Sequence, residues 1–323
     1  MQDYKSIFLT YLSDKTTVYS ELNEPQNLYK PIEYILKLGG KRIRPILTLM
    51  SCDLFGGKHQ DALPAALTIE MFHNFTLIHD DIMDKAELRR GKKTVHTKWN
   101  ENIGILSGDA LMILSYQMLE SYEGVIFKRI FSIFNQTALQ ICEGQQFDID
   151  FEKRVDVTLE EYLKMISYKT AVLLACSLQI GGIISNASEK DLDQIYNFGL
   201  NLGIAFQLQD DYLDTFGSEN FGKKVGGDIV GNKKTYLYIK TIELASMADR
   251  QELLNWYAKD TKSDHKIEKV KTLFVKNKIP ELLLSEIEKY SIMAFENIES
   301  LSISNSRKEA FINFGKSLMH RKK

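Results

Sequence analysis

The sequence predicts an all-α protein, and three observations carry that expectation. Proline breaks helices, and the chain has only five: Pro25, Pro31, Pro45 and Pro64, then none until Pro280. Apolar residues recur at three- and four-residue spacing, the period of one helix face. Runs of β-branched residues bounded by turn signals are scarce.

Along the chain, Ile126, Ile130, Phe134, Ala138 and Ile141 form one apolar stripe, and Leu163, Ile166, Ala171 and Leu174 suggest another. Breaks are expected at Gly39-Gly40, Gly56-Gly57, Arg90 to Thr94, Ser185 to Ser188, and Gly217 to Asn232. Roughly a dozen helices are expected between them. The last break is the longest glycine-rich segment and follows the second of two acidic motifs, where a mobile lid would be useful. A length of 323 residues alone suggests about two domains. No linker rich in Pro, Gly and Ser divides the chain, so residues 1–323 are read as a single domain.

Composition narrows the function. Hydrophobic residues make up 44%, enough for a substantial core. A net charge of -2 lacks the basic excess of a dedicated nucleic-acid binder. The opening MQDYKSIFLTYLSDKT has no basic flank, apolar core and cleavage site of a secretory signal. The longest apolar stretch, Ala171 to Ile184, is interrupted by Ser177, Gln179 and two glycines and is too short to span a bilayer. Cys52, Cys142 and Cys176 fit neither a zinc site nor a disulfide framework. Their apolar neighbours predict buried free thiols in a reducing, cytoplasmic setting.

The chemistry lies in two acidic motifs, Asp80-Asp81-Ile82-Met83-Asp84 and Asp210-Asp211-Tyr212-Leu213-Asp214. On a helix Asp80 shares a face with Asp84, and Asp210 with Asp214, a like-charge pairing that costs about 0.2–0.5 kcal/mol. Nearby sequence relieves this little: Thr76 and Phe206 occupy the preceding turns, and only Lys85 offers local compensation. Both motifs end apolar runs, Phe72 to Ile78 and Ile204 to Leu208, which places the carboxylates at the mouth of an apolar cavity. Carboxylates so placed need cations. Oxygen-only ligands suit magnesium completed by phosphate oxygens.

Short basic motifs supply the remaining charge for a diphosphate. Lys41 and Arg44 fall on one face if Gly39-Gly40 open a helix, whose first amides would add to an anion site. Arg89-Arg90 follow the first acidic motif, and Lys169-Thr170 and Lys233-Lys234-Thr235 come later. Each is weak alone; the combination with the aspartates gives it force.

These residues resemble the trans-isoprenyl diphosphate synthases, or polyprenyl synthetases. The likeness runs from about Pro31 to Lys234 through GGKRIRP, HNFTLIHDDIMDKAELRRG, EGQQFDID, KT, FQLQDDYLD, GKKVGGD and NKKT. It implies the isoprenoid synthase fold, a bundle of long helices around a deep apolar cavity, as a homodimer. Asp80, Asp84 and Asp210 would hold three magnesium ions, supported by Asp81, Asp211 and Asp214. Arg89, Lys169, Thr170, Gln207, Lys223 and Lys233 would take the allylic diphosphate, with Gln145 lining the site. Isopentenyl diphosphate would sit on Lys41, Arg44, His73 and Arg90, closed by a tail like Arg321-Lys322-Lys323. Many members carry proline where this chain has Lys224, which leaves the choice between Lys223 and Lys224 open.

The implied reaction is head-to-tail condensation. Magnesium and the cations stabilise charge on the leaving diphosphate, and isopentenyl diphosphate attacks the allylic cation. Asp80, Asp81, Asp84, Lys169, Asp210 and Asp211 are the catalytic set. His73 is read as a diphosphate ligand rather than a general base.

Product length should depend on residues below the first motif: Thr76 lies about 6 Å and Phe72 about 12 Å down the helix from Asp80. Phe75 and Phe72 could form a floor while small Thr76 lets a chain pass. That pattern resembles C20 producers, so geranylgeranyl diphosphate is expected, with farnesyl diphosphate (C15) the alternative. A non-catalytic partner subunit or a terpene cyclase fits less well, since both acidic motifs and the second basic pocket are intact.

Overall fold

Helices do form between the expected breaks, and one single turn, Gly227–Val230, forms inside the break expected from Gly217 to Asn232. The computed structural model describes residues 2–22, 24–217, 225–258 and 263–319. Among them sixteen α-helices occur, two being single turns. The first seven are α1 (Gln2–Leu22), α2 (Gln26–Lys37), α3 (Ile43–Leu54), α4 (Leu63–Met83), α5 (Val95–Lys98), α6 (Glu101–Gln117) and α7 (Gly124–Lys153). Next come α8 (Leu159–Ile166), α9 (Val172–Ile184), α10 (Glu189–Phe216) and α11 (Gly227–Val230). The last are α12 (Tyr236–Leu244), α13 (Met247–Tyr257), α14 (Asp264–Lys276), α15 (Ile279–Glu299) and α16 (Asn305–Met319). The fold is all-α, and the described residues add one antiparallel ribbon, β1 (Leu88–Arg89) and β2 (Lys92–Lys93), at the expected break from Arg90 to Thr94.

The chain divides into two compact units, Met1–Asn135 with Cys176–Leu192, and Gln136–Ala175 with Asp193–Lys323. In the first, α4 packs against α3 and α6, and α2 lies on α6. The Ser51 hydroxyl on α3 donates to the carbonyl of Leu178 at 2.6 Å, tying the end of α9 into this unit. In the second, α12, α14 and α15 share an apolar core that includes Tyr162, Leu237, Val270, Phe274, Ile279 and Leu283.

Periodicity predicted burial on α7: Ile130 and Phe134 are fully buried, and Ala138 and Ile141 nearly so. Cys142 departs from the expectation, for it is exposed while Cys52 and Cys176 are buried. A helix turns about 100° per residue, so the position after Ile141 rotates off the buried stripe.

The second stripe contains a step of five, from Ile166 to Ala171. An α-helix cannot keep both on one face, and Ser167–Ala171 form a π-turn that absorbs the extra residue, leaving both buried. With that turn included, Leu159–Ile184 becomes one helical run of 26 residues, apolar enough to cross a membrane. The sequence expectation, drawn on Ala171 to Ile184 alone, missed this. Within the protein 72% of that run's most apolar window is buried, as in a core helix.

Candidate active site

In the first unit, the first acidic motif closes α4. Asp80 and Asp81 lie on its last turn, and Asp84 is the C-cap. Lys85 then takes a left-handed φ of 52°, which ends the helix and directs the chain into the ribbon. The charge relief that local sequence lacks comes from that ribbon. Arg89 Nε donates to both Asp81 carboxylate oxygens at 2.9 and 2.8 Å. Its Nη2 lies 2.7 Å from Asp81 and 3.7 Å from Asp80. Burial would lower the Arg89 pKa, but Asp81, Asp80 and Asp84 outweigh it and raise it. Asp81 is 1% exposed and held by Arg89, whereas Asp80 is half-buried and Asp84 exposed.

Arg90 goes the other way, because it sits in the turn after β1 with a left-handed φ of 53°. Its guanidinium donates to the Gly39 carbonyl. Gly40 has φ 129°, a backbone conformation that favours glycine, and a Cβ there would stand 2.8 Å from the Arg90 guanidinium carbon and displace that side chain.

The glycines do not open a helix, contrary to the expectation for Lys41 and Arg44. Arg42 takes a left-handed φ of 54° as N-cap, and α3 starts at Ile43. Lys41 is therefore exposed ahead of the helix, and Arg44 lies in its first turn. The reason is Arg42 itself, whose guanidinium turns inward to the Glu70 carboxylate and the Leu36 carbonyl. Asn74 donates to the same Glu70 oxygen at 2.9 Å.

Arg44 Nη1 stands 3.4 Å from His73 Nε2, so these two predicted ligands of one diphosphate are neighbours. Loss of water, then the charges of Arg44, Arg90, Arg89 and Arg42, push the His73 pKa well below its ordinary value. A neutral imidazole can accept from Arg44 and does not add to the cationic charge.

Beneath the motif, Phe72 is fully buried and Phe75 nearly so, their ring centroids 5.3 Å apart. Phe134 of α7 meets Phe72 at 5.2 Å, and Tyr116 of α6 meets Phe134 at 5.0 Å. Thr76 hydrogen-bonds back to the His73 carbonyl at 2.8 Å.

In the second unit, Lys169 and Thr170 lie within the π-turn. Gly144 of α7 is what lets the two approach: a Cβ there would fall 2.3 Å from the Lys169 backbone nitrogen. Lys169 Nζ meets Asp148 Oδ2 at 2.6 Å, and Lys233 Nζ meets the same oxygen at 3.1 Å and Glu152 at 2.7 Å. Gln145 is half-buried, nearly one turn before Asp148. Burial alone would raise the Asp148 pKa, but the two lysines hold it below the usual carboxylate range.

Gln207, Asp210, Asp211 and Asp214 lie along the last turns of α10. Asp211 is 5% exposed and accepts from Gln207 Nε2 at 3.0 Å and from the Tyr162 hydroxyl. The Thr170 hydroxyl donates to Gln207 Oε1 at 3.1 Å. Asp214 accepts from the Asp228 backbone N–H at 2.9 Å. Asp210 and Asp214 are each only half-buried. Lys223, Lys224, Arg321, Lys322 and Lys323 lie outside the described residues.

Among the described residues no three His, Cys, Asp or Glu side chains converge on one ion. The donors available, Asp80 with Asp84 and Asp210 with Asp214, are hard oxygens in small number. That set fits magnesium, which keeps waters and substrate phosphate oxygens, better than a dedicated protein cage.

A polyprenyl synthetase family model matches residues 25–274. The chain belongs to that family. It is 39% identical over 286 residues to the geranylgeranyl diphosphate synthase of Saccharolobus solfataricus, covering 87% of this chain and 86% of that protein. To the geranylgeranyl diphosphate synthase of Sulfolobus acidocaldarius it is 43% identical over 232 residues, 70% of each. A crystal structure of a geranylgeranyl pyrophosphate synthase matches with a TM-score of 0.94 at 49% identity, covering 100% of this chain and 99% of that one.

For this polyprenyl synthetase chain, sequence reasoning missed four partners: Glu70, Asp148 and Tyr162, which are buried or half-buried, and the exposed Glu152. The acids lay within quoted or neighbouring segments. For Glu70 and Asp148 the available signal was an acid on a helix with no lysine or arginine within a turn on either side.

Proposed function

We propose that the chain is a magnesium-dependent trans-prenyltransferase that condenses isopentenyl diphosphate with allylic diphosphates and stops at geranylgeranyl diphosphate, C20. The observation that carries the reading is the pair of acidic motifs with separate basic groups: Arg44 beside His73 in one unit, and Lys169 with Lys233 in the other. The relatives above, geranylgeranyl diphosphate synthases, support both the reaction and the C20 end point. Since the family match crosses both units, residues 1–323 are taken as one functional domain.

On this reading Asp80, Asp84 and Asp210 hold magnesium, three ions in all. When bound, magnesium neutralises charge growing on the leaving diphosphate. Asp81 keeps Arg89 in place, and Lys169, Thr170, Gln207 and Lys233 orient the allylic diphosphate, with Lys223 or Lys224 as a further contact. Lys41, Arg44, His73 and Arg90 hold isopentenyl diphosphate so that its double bond meets the allylic carbon. Their contribution is largely positioning.

Phe72, Phe75 and Thr76 set product length on this reading, with Phe134 and Tyr116 backing the floor. One experiment tests it: the purified chain is given isopentenyl and dimethylallyl diphosphates with magnesium, and the product is sized. A C20 product is expected, and Phe75→Ala should lengthen it. A C15 end point, or one beyond C25, overturns the assignment, and an unchanged product in Phe75→Ala removes that residue from the floor.

A homodimer in the cytoplasm completes the proposal. It is supported by exposed apolar side chains on α6 (Ile105, Leu106, Ile113) and on the start of α7 (Val125, Phe131). Sedimentation should give twice the 37.1 kDa chain mass; a monomer at micromolar concentration counts against it.

A further inference from the structure

Tyr162 has no role in the chemistry described so far, yet its phenol ends a connected chain of hydrogen bonds. The side chain is 1% exposed on α8. That helix is fixed at its start by a reciprocal capping box between Thr158 and Glu161. The Tyr162 hydroxyl donates to Asp211 Oδ2. Asp211 Oδ1 takes Gln207 Nε2 at 3.0 Å, and Gln207 Oε1 takes the Thr170 hydroxyl at 3.1 Å. All the members lie in the second unit.

The chain has a direction. An amide can be turned end for end at little intrinsic cost. Here the reversed amide would set its oxygen against the Asp211 carboxyl and its NH2 against a hydroxyl now forced to accept. Asp211 thus selects the Gln207 orientation, and with it the direction of the Thr170 proton. Asp211 can do so only if its carboxyl plane is fixed, and its outer oxygen is held by Tyr162.

We propose that Tyr162 is a positioning residue: through Asp211 it sets the orientation of Gln207 and Thr170, the pair that receives the allylic diphosphate. The proposal rests on the function proposed above for that pair. It differs from a packing role in that removing one oxygen atom should disturb one substrate's chemistry and not the other's.

The test is a double-mutant cycle of wild type, Tyr162→Phe, Gln207→Ala and the double variant. Tyr162→Phe should lower kcat roughly tenfold, the scale of one buried hydrogen bond to a charged group. KM for isopentenyl diphosphate should stay at the wild-type value. In the Gln207→Ala background the same change should cost less than about twofold, because the group it acts through is gone. Equal losses in both backgrounds, a change confined to isopentenyl diphosphate, no loss at all, or failure of Tyr162→Phe to fold each overturn the proposal. The same four proteins are titrated calorimetrically with inorganic diphosphate and magnesium, which requires no turnover. Weaker binding in Tyr162→Phe that vanishes in the Gln207→Ala background supports the positioning role even if the wild type fails to condense isopentenyl diphosphate. That combination would overturn the proposed activity alone; absence of coupling in the titration overturns the positioning role.

Discussion

Replacing Arg42 by methionine is expected to destabilise the protein by about 3–5 kcal/mol, the scale for stranding one member of a buried ion pair. The Arg42 and Glu70 side chains are each 2% exposed. Without the guanidinium, Glu70 loses its direct ion pair and keeps the Asn74 amide at 2.9 Å, with Arg44 and Arg90 acting only through their charge, and the Leu36 carbonyl loses its donor. Arg42→Met with Glu70→Leu should recover most of the loss, since a well-packed apolar pair replaces a buried ionic one at little net cost. Asn74 is not stranded in that variant because its amide also reaches the Glu70 backbone carbonyl at 2.7 Å. Thermal unfolding of the singles and the double decides this. A loss below about 1 kcal/mol for Arg42→Met, or no recovery in the double, sinks the account. The recovered double separates scaffold from site: it should be stable yet show a raised KM for isopentenyl diphosphate, because Arg42 sets the turn between Lys41 and Arg44.

That turn also shows where sequence stops being informative. Helix content was legible from proline placement and apolar spacing, and even the π-turn was written as a step of five between Ile166 and Ala171. The acidic motifs announced themselves by repeating a local pattern that is costly without a cation. The ion pairs did not. Lys169 and Lys233 meet Asp148 across 21 and 85 residues of chain, a relation no local spacing encodes. For the same reason GGKRIRP reads as glycines opening a helix. Glu70, 28 residues on, draws Arg42 inward and delays the helix to Ile43. Cys142 was misjudged by composition, because its neighbours are apolar while its own direction on α7 is outward.

Asp148→Asn is expected to lower kcat by about a hundredfold, the scale for losing one preorganised electrostatic element, while KM for the allylic diphosphate stays level or falls. The two effects part because Asp148 both places the lysines and competes for them. One of its oxygens holds Lys169 at 2.6 Å and Lys233 at 3.1 Å, bringing two like charges together that would otherwise separate. Glu152 adds its charge at Lys233, 2.7 Å away, so without Asp148 the shared anchor of the two ammonium groups is gone. Removing the negative charge leaves more cationic attraction for a diphosphate in the ground state, so binding does not weaken. What is lost is the geometry in which both ammonium groups meet the charge that develops as the carbon–oxygen bond breaks. A variant that lowers kcat without raising KM has lost an interaction specific to the transition state. The lysines hold the Asp148 carboxyl below the usual carboxylate range, so it stays ionised at neutral and alkaline pH and the defect should be flat there. Lys169→Ala provides the contrast: one cation fewer raises KM and lowers kcat together. Wild-type kcat in Asp148→Asn, or a KM increase matching that of Lys169→Ala, would show that the carboxylate only neutralises the lysines and does not place them.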